Sequence, residues 1–164
     1  MKKYLLRGLA LVGLLLAILA ALALIESQLG QPMGLFSGSR PTDLGYKDGK
    51  FKPCPWKPNC VSSTVEKADA KHYIAPLAFA GSAEESWSKL KALIAKTAGA
   101  TIVTDAPGYL HVEFKSAAMG FVDDGEFAID SQSGAIQVRS AARLGIRDFD
   151  VNRKRVEHLR TQLK

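Results

Sequence analysis

Two spacings of apolar positions divide the chain from residue 72 onward into strands and helices. Alternating or β-branched runs predict strands at 72–79, 100–104, 109–116, 121–130 and 135–141. Short stretches that contain glycine separate the last four of these strands. Apolar residues three and four positions apart predict two helices, one that begins after residue 82 and one over 150–162.

Both predicted helices carry boundary signals. Ser82 and Glu85 fit a capping box, in which each side chain bonds the other residue's backbone amide, and Gly99 is placed to end that helix. The last helix has Asp150 as its expected N-cap. Its expected apolar face consists of Phe149, Val156, Leu159 and Leu163.

The order of these elements predicts the fold class. A strand, a helix, four strands and a helix favour an α+β fold, because an antiparallel sheet buries one face beneath helices. We expect about five strands packed against two helices, similar to a reduced helix-grip arrangement. Such an arrangement leaves room for a cavity between the sheet and the terminal helix.

The first 25 residues have a different pattern. Eighteen uncharged residues lie between Arg7 and Glu26, and as a helix they would span about 27 Å, enough to cross a bilayer core. The preceding cations favour a cytoplasmic N-terminus, so we expect a single-pass inner (cytoplasmic) membrane protein whose C-terminal domain is periplasmic or extracytoplasmic. A signal peptide cleaved near Ala23 is the alternative, and the chain would then be secreted.

Glycines and prolines interrupt residues 26–53, and no helical or alternating period survives there. We interpret this segment as a linker between the membrane segment 1–25 and a single α+β domain over 54–164. A plain spacer is the favoured interpretation, and an extended arm that lies on the domain is the alternative.

Net charge argues against a nucleic-acid partner. The chain carries +6, and removing Lys2, Lys3 and Arg7 of the membrane segment leaves +3. This excess is too small to indicate nucleic-acid binding, and no known nucleic-acid motif occurs. No motif predicts a bound cofactor either. The sequence carries no signal for an oligomeric state.

Cys54 and Cys60 are the only cysteines. An even count in an exported chain favours a disulfide, which here would close a small loop. A redox pair would have a closer spacing, and a metal site would need further ligands at suitable spacing. These alternatives, and two free thiols, remain less favoured than a structural disulfide, and we predict no metal site.

One polar set is predicted from strand register. If 131–134 forms a four-residue hairpin loop, Asp130 pairs with Ala135, and counting back places Glu126 opposite Arg139. One register of the preceding hairpin adds His111 to this row. We expect the row to be a solvent-exposed surface ladder.

A second polar set surrounds Asp123, which shares its strand face with Phe121 and Phe127. A buried carboxylate is costly unless it is paired, so polar groups should lie nearby. The candidates are Ser140, Arg143, Asn152 and Arg155. They could lock the last helix onto the sheet, or, together with Arg139, they could bind an anionic ligand.

Several segments together resemble a known family. They are CPWKPNCVSS, YIAPLAF, HVEF, GFVDDGEFAID and IQVRSAARLGIRDFDVNRKRVEHLR, and they extend from Cys54 to the C-terminus. This combination is similar to the domain of unknown function family numbered 1499, which implies an exported or envelope protein and transfers no catalytic residue. Gly125 departs from the family pattern, where an aliphatic residue is expected, and would leave a gap beside Asp123.

The favoured function is therefore a non-catalytic envelope module that binds a small anionic or lipid ligand, or a partner protein. No nucleophile elbow, metal triad or phosphate loop is present, and no catalytic residue is assigned. The alternatives are a hydrolase-like enzyme with a polar site around Asp123, Arg139 and Arg143, and a scaffold without a ligand.

Overall fold

The structure is a computed structural model that describes residues 8, 10–18, 20, 21 and 36–164. Helical residues at 8, 10–18, 20 and 21 form α1. The later helices are α2 (Ala83–Ala95) and α3 (Val151–Leu163). The strands are β1 (Tyr46–Lys47), β2 (Lys50–Phe51), β3 (Cys60–Ser62), β4 (Leu77–Ala78), β5 (Ala100–Ala106), β6 (Tyr109–Lys115), β7 (Val122–Asp130) and β8 (Ala135–Ala142).

The main sheet has six strands. Its order is β3-β8-β7-β6-β5, with β4 as a second partner of β8, and all of these pairs are antiparallel. Strands β1 and β2 form a separate hairpin. The predicted α+β class and antiparallel sheet are confirmed, but the sheet has six strands rather than about five.

The first predicted strand, 72–79, is largely wrong. Only Leu77–Ala78 is a strand there, and Tyr73 forms an isolated parallel bridge with Ser62. Pro76, which has no amide hydrogen to donate, separates the two pairings. The additional strand is β3, which begins at Cys60, the last residue of the cysteine loop, and has no alternating pattern of its own.

Helices α2 and α3 pack on one face of the main sheet. The capping box of α2 is confirmed, since Ser82 accepts a hydrogen bond from the Glu85 amide and Glu85 accepts one from the Ser82 amide. The helix ends at Ala95, four residues before Gly99. The buried core that joins the helices to the sheet includes Leu90, Ile94, Leu110, Val112, Phe127, Ile136, Val138, Val156 and Leu159.

The predicted register of the long hairpins is confirmed. Asp130 pairs with Ala135 and Glu126 with Arg139, and His111 is paired with Glu126 on the other side. Alternate residues of β7 therefore point to the helix face, with Asp123, or to the opposite face, with Asp124 and Glu126.

The predicted membrane anchor lies only partly within the described residues. Positions 1–7, 9, 19 and 22–25 are outside them. In the part of the chain that the structure describes, no helix combines the length and the apolar character needed to cross a bilayer.

Candidate functional site

The two cysteines form the predicted disulfide. The bond joins Cys54 to Cys60, whose Cα atoms are 5.7 Å apart. The loop it closes holds Asn59, whose backbone carbonyl accepts from the Ala142 amide and whose side-chain amide donates to the Gly145 carbonyl at 3.0 Å. The disulfide thus fixes the loop against the end of β8 and the segment that follows it.

Residues 36–53, the arm, begin with Phe36, which stacks on Phe121, and from Arg40 onward contact the face of the sheet opposite the helices. The Gly45 amide donates to Glu126 at 2.8 Å, and Arg139 Nε donates to the Lys52 carbonyl at 2.9 Å. Arg40 forms an ion pair with Glu113. An arm on the domain, rather than a plain spacer, therefore describes residues 36–53.

This coverage corrects the expected surface ladder. The residues of the row have the predicted register, but Glu126 is 0% exposed and His111 and Arg139 are each 5% exposed. Glu126 accepts from Arg139 Nη1 at 3.1 Å and from the Tyr109 hydroxyl at 2.9 Å. The row is a buried layer because arm backbone groups complete its hydrogen bonds.

Arg143 belongs to the same buried layer. Its guanidinium donates to Asp124 at 2.8 and 2.7 Å and also to Glu113, and His111 Nε2 lies 2.8 Å from Asp124. Burial alone would raise the pKa values of Asp124 and Glu113. The hydrogen bonds from Arg143, His111 and Arg40 outweigh burial and hold both pKa values below their usual range.

The charges of this layer compensate one another. Its three carboxylates face three guanidiniums, and a small cavity of about 170 Å³ lies beside Arg139 and Arg143. Of the predicted ligand-binding set, Arg139 and Arg143 therefore lie on the arm face, away from Asp123. The three arginines therefore do not share one site with Asp123. Alternation along β8 and one residue beyond it points Arg139 and Arg143 to the arm face, whereas Arg155 belongs to α3.

The remaining four residues of that set do come together on the helix face. Arg155 Nη2 donates to Asp123 at 2.7 Å, and Arg155 Nη1 donates to Ser140 at 3.0 Å and to Asn152 at 2.6 Å. Ser140 also donates to Asn152. These groups join β7, β8 and α3, so the network holds the last helix against the sheet.

Asp123 has a pKa above its ordinary value. Burial is the main cause, and the nearby carboxylates of Asp148 and Asp124 add to it, while the Arg155 guanidinium opposes the rise. The neighbouring carboxyl groups of Asp123 and Asp124 are therefore shifted in opposite directions. Asp124 has several donors, whereas Asp123 has one guanidinium in an apolar setting.

An apolar cleft opens beside this network. Its volume is about 420 Å³, and Asp123 and Arg155 lie in its wall. The Arg155 guanidinium carbon sits 4.4 Å from the centroid of the Phe114 ring, which also lines the cleft. The other lining residues are Thr97, Ala98, Lys115, Ser116, Phe121, Ala142, Leu144, Gly145, Arg147, Asp148, Phe149 and Val151. The cleft lies between the sheet and α3, where the order of elements left room for a cavity.

Gly125 sits behind the cleft wall. A Cβ atom at this position would lie 2.5 Å from Cε2 of Phe114 and 3.4 Å from Cε2 of Phe127. The gap expected beside Asp123 is therefore filled by the Phe114 ring. The absence of a side chain at Gly125 allows that ring to pack under Arg155.

The start of α3 has the predicted N-cap residue but a different capping bond. Asp150 is the N-cap residue, but its φ is 63° and its side chain forms no capping bond. Asp148 provides this function, since its carboxylate accepts from the amide of Asn152 at 2.9 Å. Phe149 has a φ of 54° and is 83% exposed at the cleft mouth, so it is not part of the apolar face. Val156, Leu159 and Leu163 are buried as expected.

The sequence prediction missed most of the cleft. Leu144, Arg147 and Phe149 lie between β8 and α3, where no period marks a buried face. The available signal was a run of apolar residues at 144, 146, 149 and 151 outside any predicted element. Within the described residues, no group of three or more His, Cys, Asp or Glu side chains is arranged to hold a metal ion.

Comparison with known proteins gives a family. No curated protein and no solved structure matches the chain. The family model described as "Protein of unknown function (DUF1499)" matches residues 50–163, which include the whole main sheet and both of its helices. The chain therefore belongs to the DUF1499 family.

Proposed function

We propose that this protein is an exported, membrane-anchored binding module, and that its ligand is an amphipathic molecule with an apolar chain and an anionic head. The observation that carries the proposal is the cleft between the sheet and α3. Its volume of about 420 Å³ is in the range of about 300–1,000 Å³ that is typical of small-molecule sites.

The cleft wall combines apolar surface with a few polar groups. Phe114, Phe121, Leu144 and Val151 supply the apolar part, which suits an acyl chain or a similar hydrocarbon. Such a composition is typical of ligand pockets, in which a small number of polar groups fix the orientation. The cleft belongs to the fold itself, because the Asp123–Arg155 network holds its two sides together.

An anionic head is favoured by the charges at the cleft. Three cationic side chains, Lys115, Arg147 and Arg155, line it with two carboxylates, Asp123 and Asp148. Asp123 is paired with Arg155, and Asp148 caps α3. The Arg147 guanidinium has no hydrogen-bond or ion-pair partner among the described residues, so it is available to a carboxylate or phosphate.

The proposed location rests on the N-terminal pattern. The eighteen uncharged residues after Arg7 are long enough for a bilayer span, and the cations before them favour export of the domain. The Cys54–Cys60 disulfide supports an oxidising compartment. An inner-membrane anchor with a periplasmic or extracytoplasmic domain is thus proposed, with secretion after cleavage near Ala23 as the alternative.

A binding role is favoured over hydrolysis by the positions of the candidate catalytic groups. His111 lies in the arm-side layer with Asp124, whereas Ser140 lies on the helix face with Asn152 and Arg155. The sheet separates them, so His111 cannot act as a base for Ser140. The arginines on the arm side are paired with carboxylates, which also favours a structural role for that layer.

Native mass spectrometry tests this function. The full chain is extracted from its own membrane in lipid nanodiscs, without detergent, and then released in the gas phase. We expect a bound molecule of defined mass, at about one per chain, that fragments into an acyl chain and an anionic head. Release of the chain without any adduct, or with a molecule that lacks an apolar part, would contradict the proposal.

A further inference from the structure

We infer that the mouth of the cleft docks on an anionic phospholipid bilayer, the one that holds the N-terminal anchor, so that the cleft opens into the headgroup layer. This inference rests on the proposed function and adds an orientation to it. Three large apolar side chains of the segments that line the cleft are exposed. Phe149 is 83% exposed, Ile146 57% and Met119 52%.

We call these three side chains the rim, because they belong to the two segments that line the cleft. Phe149 lines the cleft directly, Ile146 lies between the lining residues Gly145 and Arg147, and Met119 lies in the turn that joins Ser116 to Phe121, which also line it. Large exposed apolar side chains gathered at one opening are typical of sites that contact a membrane or a partner.

The backbone at Phe149 keeps its ring in this position. Its φ of 54° is uncommon for a bulky side chain, and Asp150 follows with a φ of 63°. Such a conformation persists only where the surrounding structure enforces it. Here the Asp148 carboxylate, which accepts from the Asn152 amide, fixes the first turn of α3 directly behind Phe149.

The bilayer is favoured as the occupant by the point where the chain enters the domain. Phe36, the first described residue of the arm, stacks on Phe121 with ring centroids 5.0 Å apart, and Phe121 lines the cleft. Ten residues, 26–35, separate Phe36 from the predicted anchor. Ten residues reach at most about 35 Å, so the anchor holds the cleft side of the domain near the membrane.

Charge supports the same occupant. Arg147 sits beside Ile146 in the rim, and its guanidinium has no partner among the described residues. A basic side chain near the surface of an anionic bilayer is attracted to its headgroups. Apolar residues flanked by a cation suit the boundary between headgroups and acyl chains.

A fluorescence experiment tests the docking. The full chain, with bimane on Ile146→Cys or on Gln132→Cys, is placed in nanodiscs of anionic phospholipid with or without brominated acyl chains. Gln132 is exposed in the β7–β8 turn, and eight residue steps of β7 place that turn about 26 Å from the cleft end of the strand. It is therefore the matched control.

We expect roughly twofold or greater quenching at position 146 relative to position 132, because interfacial apolar side chains lie about 5–10 Å into the boundary. Equal, weak quenching at both positions in a chain that is retained in the discs would overturn the docking alone, and the ligand found by mass spectrometry would still stand. A chain that does not remain in the discs would remove the anchor and this inference with it.

Discussion

Asp123 and Arg155 form an ion pair with a 2.7 Å N–O distance, and this pair joins the central strand β7 to the last helix. Both side chains are largely buried, and the pair lies in the wall of the cleft. The same contact therefore stabilises the fold and shapes the proposed binding site. A change at either residue should affect stability first, and binding must be tested at other positions.

Replacing Arg155 with Met should destabilise the protein, because the Asp123 carboxylate would remain buried without its partner. Loss of one member of a buried pair costs about 3–5 kcal/mol. Urea unfolding followed by tryptophan fluorescence measures the change. The exposed Arg147→Met variant is the control and should stay within about 0.5 kcal/mol of wild type. Equal midpoints for both variants would contradict the structural role of the pair.

The arm-side layer should depend on Glu126. Glu126→Gln removes the charge that compensates Arg139 and weakens the bond from the Gly45 amide, so the domain should lose about 3–5 kcal/mol. Glu157 is exposed and forms a surface ion pair with Arg160, so Glu157→Gln should change stability by less than about 1 kcal/mol. Limited proteolysis should also cut residues 36–53 sooner in Glu126→Gln. An arm that resists proteolysis as in wild type would show that Glu126 does not hold it.

Glu113 and Asp124 should make the folded protein less stable as pH falls. Asp123 should make it less stable as pH rises. The folded-state pKa values of Glu113 and Asp124 are lowered. Their contribution to the free energy of unfolding is therefore complete above the unfolded-state pKa values of about 4, and it is lost as pH falls through the folded-state pKa values. The folded-state pKa of Asp123 is raised. In the folded protein Asp123 therefore binds its proton more tightly than in the unfolded chain. Its contribution to the free energy of unfolding falls as pH rises from the unfolded-state pKa to the folded-state pKa.

Urea midpoints measured from about pH 2 to about pH 7 test these signs. Asp124→Asn should flatten the loss of stability at acid pH. Asp123→Asn should instead remove the decrease in the urea midpoint that wild type shows as pH rises above about 4. Parallel changes in slope for the two variants would contradict the opposite pKa shifts of these neighbouring residues.

Gly125→Ala should destabilise the domain although alanine suits a strand better than glycine. The added methyl group would lie 2.5 Å from the buried Phe114 ring and force it away from Arg155. Overpacking of this kind costs about 1–3 kcal/mol. Gly134→Ala offers a comparison in open space, with its own cost from a φ of 64°. If Gly125→Ala were as stable as wild type, close packing of Phe114 would not require the glycine.

The register of the sheet could be predicted because it depends on local rules. Alternation fixes which residues share a face, and a four-residue loop after Asp130 fixes the Glu126–Arg139 pair. The same alternation, continued one residue beyond β8, would have placed Arg143 with Arg139 and away from Ser140. That part of the site could have been assigned from the sequence.

Burial of the Glu126 row could not be predicted in the same way. It depends on a backbone amide at Gly45 and a backbone carbonyl at Lys52, groups that every residue possesses. Residues 36–53 have no period that marks a packed face. The cleft was equally hidden, because Phe149 and Leu144 lie in an irregular segment whose course is set by the disulfide loop and by Asp148.

Filling the cleft tests the proposed binding most directly. Ala98 lines the cleft and is exposed, so Ala98→Trp can occupy the space without disturbing the core. Ala92 is exposed on α2 and does not line the cleft, which makes Ala92→Trp the matched control. Native mass spectrometry of both full-length variants from their own membranes should show the amphipathic adduct on Ala92→Trp and its loss from Ala98→Trp. Equal amounts of adduct on the two variants would contradict binding in the cleft.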